Sequence, residues 1–322
     1  MAQVSGTTDS YDLVGVAEDV EDAIFSISPE ETPFLTMAKK KTASNTLHQW
    51  QTDSLAAVGA NRQIEGDDAS YTTASPTVML SNYTQISRKT LIVSRTADKV
   101  RKYGRAKELA RLTTKYGKEL KRDMEYALVT NQASSAGGSG TARSSAGFEA
   151  MIAGNRILGG GSTGTAAGYS GGVWAAPVDS STTATITEAN LKLGIQAAWT
   201  DGGDPSVIMS NIAQKAYIAA FAGANKFAGF YNPNQGRSQG AVIGGVDLYV
   251  SDVGEHKLML NRYMRANVLF GIDPEYVSVA MLDGIKMEDL AKTGDAEKKM
   301  LITEFCLVAD NPDAHFQIRD LT

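Results

Sequence analysis

The sequence predicts an α+β fold in which a long helix and an antiparallel sheet form one unit and a segment of mixed helices and strands forms another. An arm and a β excursion precede both. Three observations predict this. Leu112, Tyr116, Leu120, Met124 and Leu128 recur every four residues, the repeat of one helix face. Residues 71–94 and the tail from Tyr276 to Leu321 are strand-like runs rich in valine, isoleucine, leucine, threonine and tyrosine. Between them lie short helical and strand-like pieces without a regular βαβ series.

Residues 1–47 show no sustained period and read as an arm with one or two short helical turns. Ser28, Pro29 and Glu31 resemble a capping box, but Pro33 forces Thr32 toward extended geometry. A helix must therefore restart with Thr32 as cap and Pro33 at its first position. Two turns are too short to hold together alone in water, so Phe34, Leu35 and Met37 read as anchors for another surface. Residues 48–94 read as a two-stranded excursion, also marginal by itself, with Trp50 on its first strand and the polar stretch AVGANRQIEGDDA between the strands.

Residues 96–131 read as one helix about 50 Å long, capped by Thr96, with Val100, Tyr103 and Leu109 extending the stripe. Residues 132–172 hold twelve glycines and seven serines and read as a turn-rich loop and domain boundary. A helix over Glu188–Thr200, a strand over Pro205–Ser210, a helix from Ser210 or Asn211 to about Ala222 and a strand near Val246–Val250 follow. The tail runs YVSVAML, MLITEFCLV and HFQIRDL, separated by turns, are expected to pair as an antiparallel sheet beside the long helix.

With 43% apolar and 21% charged residues in 322, the composition is that of a globular protein rather than a disordered or fibrous one. The formal charge of −5 implies no anionic partner, yet it is unevenly spread. Residues 1–38 carry eight carboxylates, from Asp9 to Glu31, and no lysine or arginine. Residues 95–122 carry eleven basic side chains. Eight of them, Lys99, Arg101, Lys102, Arg105, Arg111, Lys115, Lys118 and Arg122, form a candidate basic helix face that either attracts phosphate or is solvated through i, i+4 pairs. No run has the character of a secretory leader or reaches membrane-spanning length, so synthesis in the cell interior and no membrane partner are expected. The lone Cys306 reads as a buried hydrophobe.

Catalytic patterns are present only in letter. Gly159, Gly161 and Gly164 satisfy GxGxxG, and Gly168, Ser170 and Gly172 satisfy GxSxG, both in a segment where glycine and serine produce such matches by chance. A phosphate loop needs a helix N-terminus and a nucleophile elbow needs a strand–turn–helix, and neither flank is predicted here. His256 and His315 could serve Ser170 as a base on paper. Three scattered histidines and one cysteine offer no metal cluster, so no metal, cofactor or small-molecule substrate is expected.

The order of arm, β excursion, long helix, mixed middle and returning β tail resembles the major capsid proteins of tailed bacteriophages, with the Hong Kong 97-type fold. SPEETPFLTM followed by HQWQTDSL, the basic helix and GGDPSVIMSNIAQKAYIAAF resemble one capsid family within that fold. The resemblance implies an arm over 1–47, an extended β-hairpin loop over 48–94, a peripheral domain over 95–149 and 269–322 with a spine helix, and an axial domain over 150–268. Residues 132–172 are longer and richer in glycine than that fold requires. It implies self-assembly into hexamers and pentamers of an icosahedral head around double-stranded DNA, in the virion and built in the host bacterial cytoplasm, without enzymatic chemistry. Phe34, Leu35, Met37, Trp50, Arg88 and Arg95 become candidate inter-subunit contacts, and portal, scaffolding and decoration proteins become candidate partners. The acidic arm is expected near the basic helix of its own or an adjacent subunit. Three alternatives stand beside this: an encapsulin-like shell around a protein cargo, a non-specific DNA-binding protein using helix 96–131, and a serine hydrolase at Ser170.

Overall fold

A computed structural model of the chain describes residues 28–68, 71–159, 164–221 and 247–322. The first helix, α1 (Pro33–Met37), starts where proline fits, with Thr32 before it. The extended β1 (Lys39–Thr42) and β2 (Leu47–Thr52) follow. Residues 53–77 carry no regular structure where they are described, and β3 (Val78–Tyr83) returns antiparallel to β2 in the register Trp50 to Leu80.

The ladder of the excursion ends at Tyr83, not at residue 94. After Thr84 the chain enters β4 (Gln85–Ser94), which turns buried Leu91 and Val93 toward Leu109, Leu112 and Leu120. That burial is available only against the helix, so β4 belongs with it rather than with the hairpin.

The helix predicted over 96–131 is broken in two. α2 (Arg95–Lys99) is capped by Ser94, whose hydroxyl accepts from the Ala97 amide at 3.2 Å. α3 (Glu108–Val129) begins afresh, and Asp98 accepts from the amides of Glu108 and Leu109 at 3.0 and 3.3 Å. Gly104 lies between them at φ 70°, a left-handed conformation no helix continues through. Val100 and Tyr103, predicted on the apolar stripe, are consequently exposed, while Leu120, Met124 and Leu128 are buried as expected.

The glycine-rich stretch is more structured than its composition predicts. It contains α4 (Phe148–Met151), buried throughout, the short β5 (Arg156–Leu158) and β6 (Gly168–Ser170), which pairs with β7 (Val173–Ala175). The middle segment follows expectation, with α5 (Glu188–Thr200), β8 (Val207–Ser210), α6 (Ile212–Phe221) and β9 (Leu248–Val250). Ala222 and Val246, the expected bounds of the last two, lie outside the described residues.

The remainder is β10 (Glu255–Leu260), β11 (Leu269–Ile272), β12 (Val277–Asp289), β13 (Ala296–Ala309) and β14 (Phe316–Arg319). The strands form a four-stranded sheet in the order β1-β12-β13-β4 and a six-stranded sheet in the order β5-β14-β11-β8-β10-β9. β12 and β13 pair antiparallel beside α3, as the tail runs predict, but β14 does not join them. All four residues of β14 are buried, which suits an interior strand covered on both faces, and it lies between β5 and β11.

Two cores result. One joins both sheets through Phe34, Met124, Phe148, Phe270 and Phe305. The other lies between the six-stranded sheet and α5 and α6, around Ile195, Ile208, Ile218 and Phe316.

Candidate assembly surfaces

The arm is anchored within its own chain. Phe34 and Leu35, predicted to bury on a neighbouring subunit, lie in the core shared by both sheets, and Phe34 is fully buried. Phe34 meets Phe148 edge-on at 5.2 Å, and Phe148 meets Phe270 the same way at 5.2 Å. The amides at the start of α1 would be stranded there without acceptors. Glu125, buried on α3, takes both: Phe34 N donates to Oε1 at 2.9 Å and Leu35 N to Oε2 at 2.7 Å. Asn261 donates a third bond to Oε1 at 2.6 Å. Burial raises the Glu125 carboxyl above its ordinary range, with the three hydrogen bonds opposing the shift. The Thr32 side chain makes no capping bond, so the sequence located the helix start and missed its cap. Met37 and Trp50 are partly buried against the same core and are likewise held largely by their own chain.

The bare apolar groups lie farther on. Leu55 and Tyr71, in the stretch between β2 and β3, are 99% and 96% exposed, and Val58 and Ile64 are similarly uncovered. Sequence reasoning passed over them because they are sparse, Leu55 and Val58 bracketing two alanines and Ile64 and Tyr71 standing among polar residues. A few large apolar residues in an otherwise polar stretch between two strands were the only signal. Of the remaining predicted contacts, Arg88 is exposed on β4, and Arg95 pairs with Asp295 at 2.9 Å.

Much of the basic helix face is matched internally. Arg105 and Arg111 both pair with Glu108, and hydrogen bonding from Arg111 leads the effects that hold its carboxyl below the usual range. Lys115 faces Glu119 at 3.8 Å, and Arg122 lies over the Tyr263 ring at 5.6 Å. Lys118 pairs at 2.7 Å with Glu30 of the arm, so this part of the acidic arm does reach the basic helix of its own chain. The carboxylates from Asp9 to Asp22 lie outside the described residues. Lys99 and Arg101 are exposed and Lys102 is partly buried. Of the tyrosines, Tyr116 packs from α3 against the cluster of Leu91, Val93 and Leu301, whereas Tyr103 and Tyr126, read at core spacing, are exposed.

The catalytic patterns acquire no catalytic geometry. Ser170 ends β6 at a two-residue hairpin turn, Gly171 and Gly172 having φ 60° and 84°, not at a strand-to-helix elbow. His256 is engaged with the Ser251 hydroxyl and the Pro205 carbonyl, each at 2.6 Å. Buried His315 accepts from the Asp273 amide at 3.1 Å. Gly159 and Gly164 flank residues outside the described set, Gly161 among them, and the described residues from Gly164 onward lead into the short strand β6, not into a helix. Burial pushes the Cys306 thiol up to about 12. Among the described residues no three His, Cys, Asp or Glu side chains are grouped to hold a metal ion, and no helix is long and apolar enough to cross a membrane.

The chain matches the SU10 major capsid protein family over residues 3–322. It belongs to that family. This capsid protein is 29% identical to the major capsid protein of Escherichia phage Phieco32 over 341 aligned residues, covering 95% of this chain and 94% of that one. Among solved structures it superposes on the cyanophage A-1(L) capsid asymmetric unit with TM-score 0.66 at 15% identity, over 99% of this chain and 100% of the other. The capsid of the native GTA particle gives TM-score 0.62 at 9% identity, over 97% and 98% of the two chains. The structure of phage G major capsid and decoration proteins gives TM-score 0.53 at 9% identity, over both full chains. The fold is the Hong Kong 97-type capsid fold, and the chain is a phage major capsid protein, a structural component of the virion.

Proposed function

We propose that the capsid protein assembles as hexamers and pentamers into an icosahedral head around double-stranded DNA, in the host bacterial cytoplasm, and carries out no chemistry of its own. The observation that carries this reading is the stretch between β2 and β3, where Leu55, Val58, Ile64 and Tyr71 have no cover from their own chain. Covering them on a neighbour would yield about 2 kcal/mol each, roughly 8 kcal/mol per subunit before ordering costs. Rings of this kind use head-to-tail contacts, in which the donating and receiving patches differ. Portal, scaffolding and decoration proteins would act on the assembled shell.

On this reading α3 with the four-stranded sheet is the peripheral domain, and the six-stranded sheet with α5 and α6 is the axial domain. The last strand, β14, then returns to the axial side instead of ending in the peripheral domain as the boundary 269–322 implied. Shared ancestry with phage capsid proteins favours a DNA-filled head over an encapsulin-like compartment.

The test replaces residues 54–76 by a short glycine–serine turn. Negative-stain microscopy should show closed particles for the unaltered chain and only small soluble species for the variant, with circular dichroism unchanged. Particle formation by the variant at equal yield would overturn the reading.

A further inference from the structure

The base of the β2–β3 hairpin is held by the glycine- and serine-rich segment that the fold's outline does not require. On β3, Ser81 and Asn82 are buried and polar. The Trp174 indole N–H on β7 donates to the Ser81 carbonyl at 2.8 Å. The Ser81 hydroxyl donates to the Gly172 carbonyl at 3.2 Å, which leaves the Tyr169 hydroxyl of β6 to donate to it at 2.8 Å. Asn82 donates to the Ser145 hydroxyl at 3.0 Å and to the Leu307 carbonyl of β13 at 2.7 Å, and accepts from the Ala146 amide at 2.9 Å.

The holding segment is itself rigidly built. Tyr169 and Trp174 face each other across the β6–β7 hairpin with rings 4.8 Å apart. Trp174 is tied on both backbone sides to Ser134, its amide donating to the Ser134 hydroxyl at 2.7 Å and its carbonyl accepting from the Ser134 amide at 3.0 Å. The turn Gly171–Gly172 has both residues at positive φ, which lets the Gly172 carbonyl meet Ser81. Beyond Trp50 and Leu80 the hairpin runs outward without support from the cores, so a change of angle at its base is multiplied along its length.

We propose that the β6–β7 hairpin, with Ser145 and Ala146, is a clamp that sets the direction in which the β2–β3 hairpin projects, and thereby the spacing between subunits in the shell. The bonds act on the two residues of β3 that adjoin the branch into β4, where the hairpin leaves the body of the protein. Tyr169, Trp174 and Asn82 are positioning residues on this account. The consequence for the shell rests on the reading that the hairpin reaches a neighbouring subunit.

The test is the double variant Tyr169→Phe/Trp174→Phe, which removes two donors and keeps an aromatic ring, though a smaller one at 174, at each position, with Ser81→Ala as a milder second variant that leaves both rings intact. Hydrogen exchange in residues 47–52 and 78–83 should accelerate about tenfold or more while α3, β8 and β11 keep their protection. Microscopy should show particles of mixed size or open sheets where the unaltered chain gives one size. Equal acceleration throughout the molecule would reduce these residues to ordinary core and overturn the clamp, as would unchanged exchange at the hairpin base. A loosened base with uniform particles would overturn its role in spacing. Failure of the unaltered chain to form particles would instead remove the assembly reading, and with it the consequence for the shell.

Discussion

Glu125 accepts from three donors, two of them amides of a helix 91 and 90 residues earlier in the chain and the third the Asn261 side chain, which also reaches the Met209 sulfur at 3.4 Å. Glu125→Ala strands the two helix amides and leaves Asn261 only the sulfur, a weak acceptor, so urea unfolding should show a loss of about 3 kcal/mol. Glu125→Gln keeps the shape and one acceptor, and relief of the buried charge offsets part of the loss, so about 1 kcal/mol is expected. Equal losses in the two variants would mean that packing, not hydrogen bonding, is what the residue supplies. His315 gives a pH dependence. Burial lowers it from 6.5 to about 3, so the unfolded chain takes up a proton that the folded chain refuses between those values. Stability from this residue is therefore complete above about pH 6.5 and falls as the pH drops, by about 2 kcal/mol at pH 5. Thermal midpoints measured between pH 7 and 5 should decline less steeply in His315→Gln.

At the scale of elements, Pro33, the spacing of Leu120, Met124 and Leu128, and the runs of the tail were legible because each is a local rule of backbone or periodicity. The break between α2 and α3 was not, because glycine is tolerated inside a helix and only its φ shows that this one ends it. Gly104→Ala should cost about 1 kcal/mol through the left-handed conformation, read as a lower thermal midpoint. The branch at Thr84 was also hidden, since β3 and β4 are equally strand-like and differ only in partner, β2 in one case and β13 in the other. Of the candidate contacts, the sequence chose the apolar cluster after Pro33, where hydrophobic density is highest. The exposed residues proved to be scattered ones, at Leu55, Val58, Ile64 and Tyr71.

At the scale of the whole molecule, Arg105, Arg111, Lys115 and Lys118 pair with carboxylates of the same chain and Arg122 lies over Tyr263, so five of the eight residues of the basic helix face are already engaged. Unassembled subunits should therefore bind duplex DNA no more tightly than about 100 μM near physiological salt, measured by fluorescence anisotropy. Tight, steeply salt-dependent binding would restore the DNA-binding alternative. By itself the sequence determined the kinds of element, their order and the family resemblance, because periodicity, proline and turn chemistry act between near neighbours. The tertiary structure alone decided that Phe34 and Leu35 turn inward to Glu125, that β14 leaves the tail sheet, and which apolar side chains stay bare. Burial and hydrogen-bond satisfaction depend on groups far away along the chain, and no local pattern records which distant group will arrive.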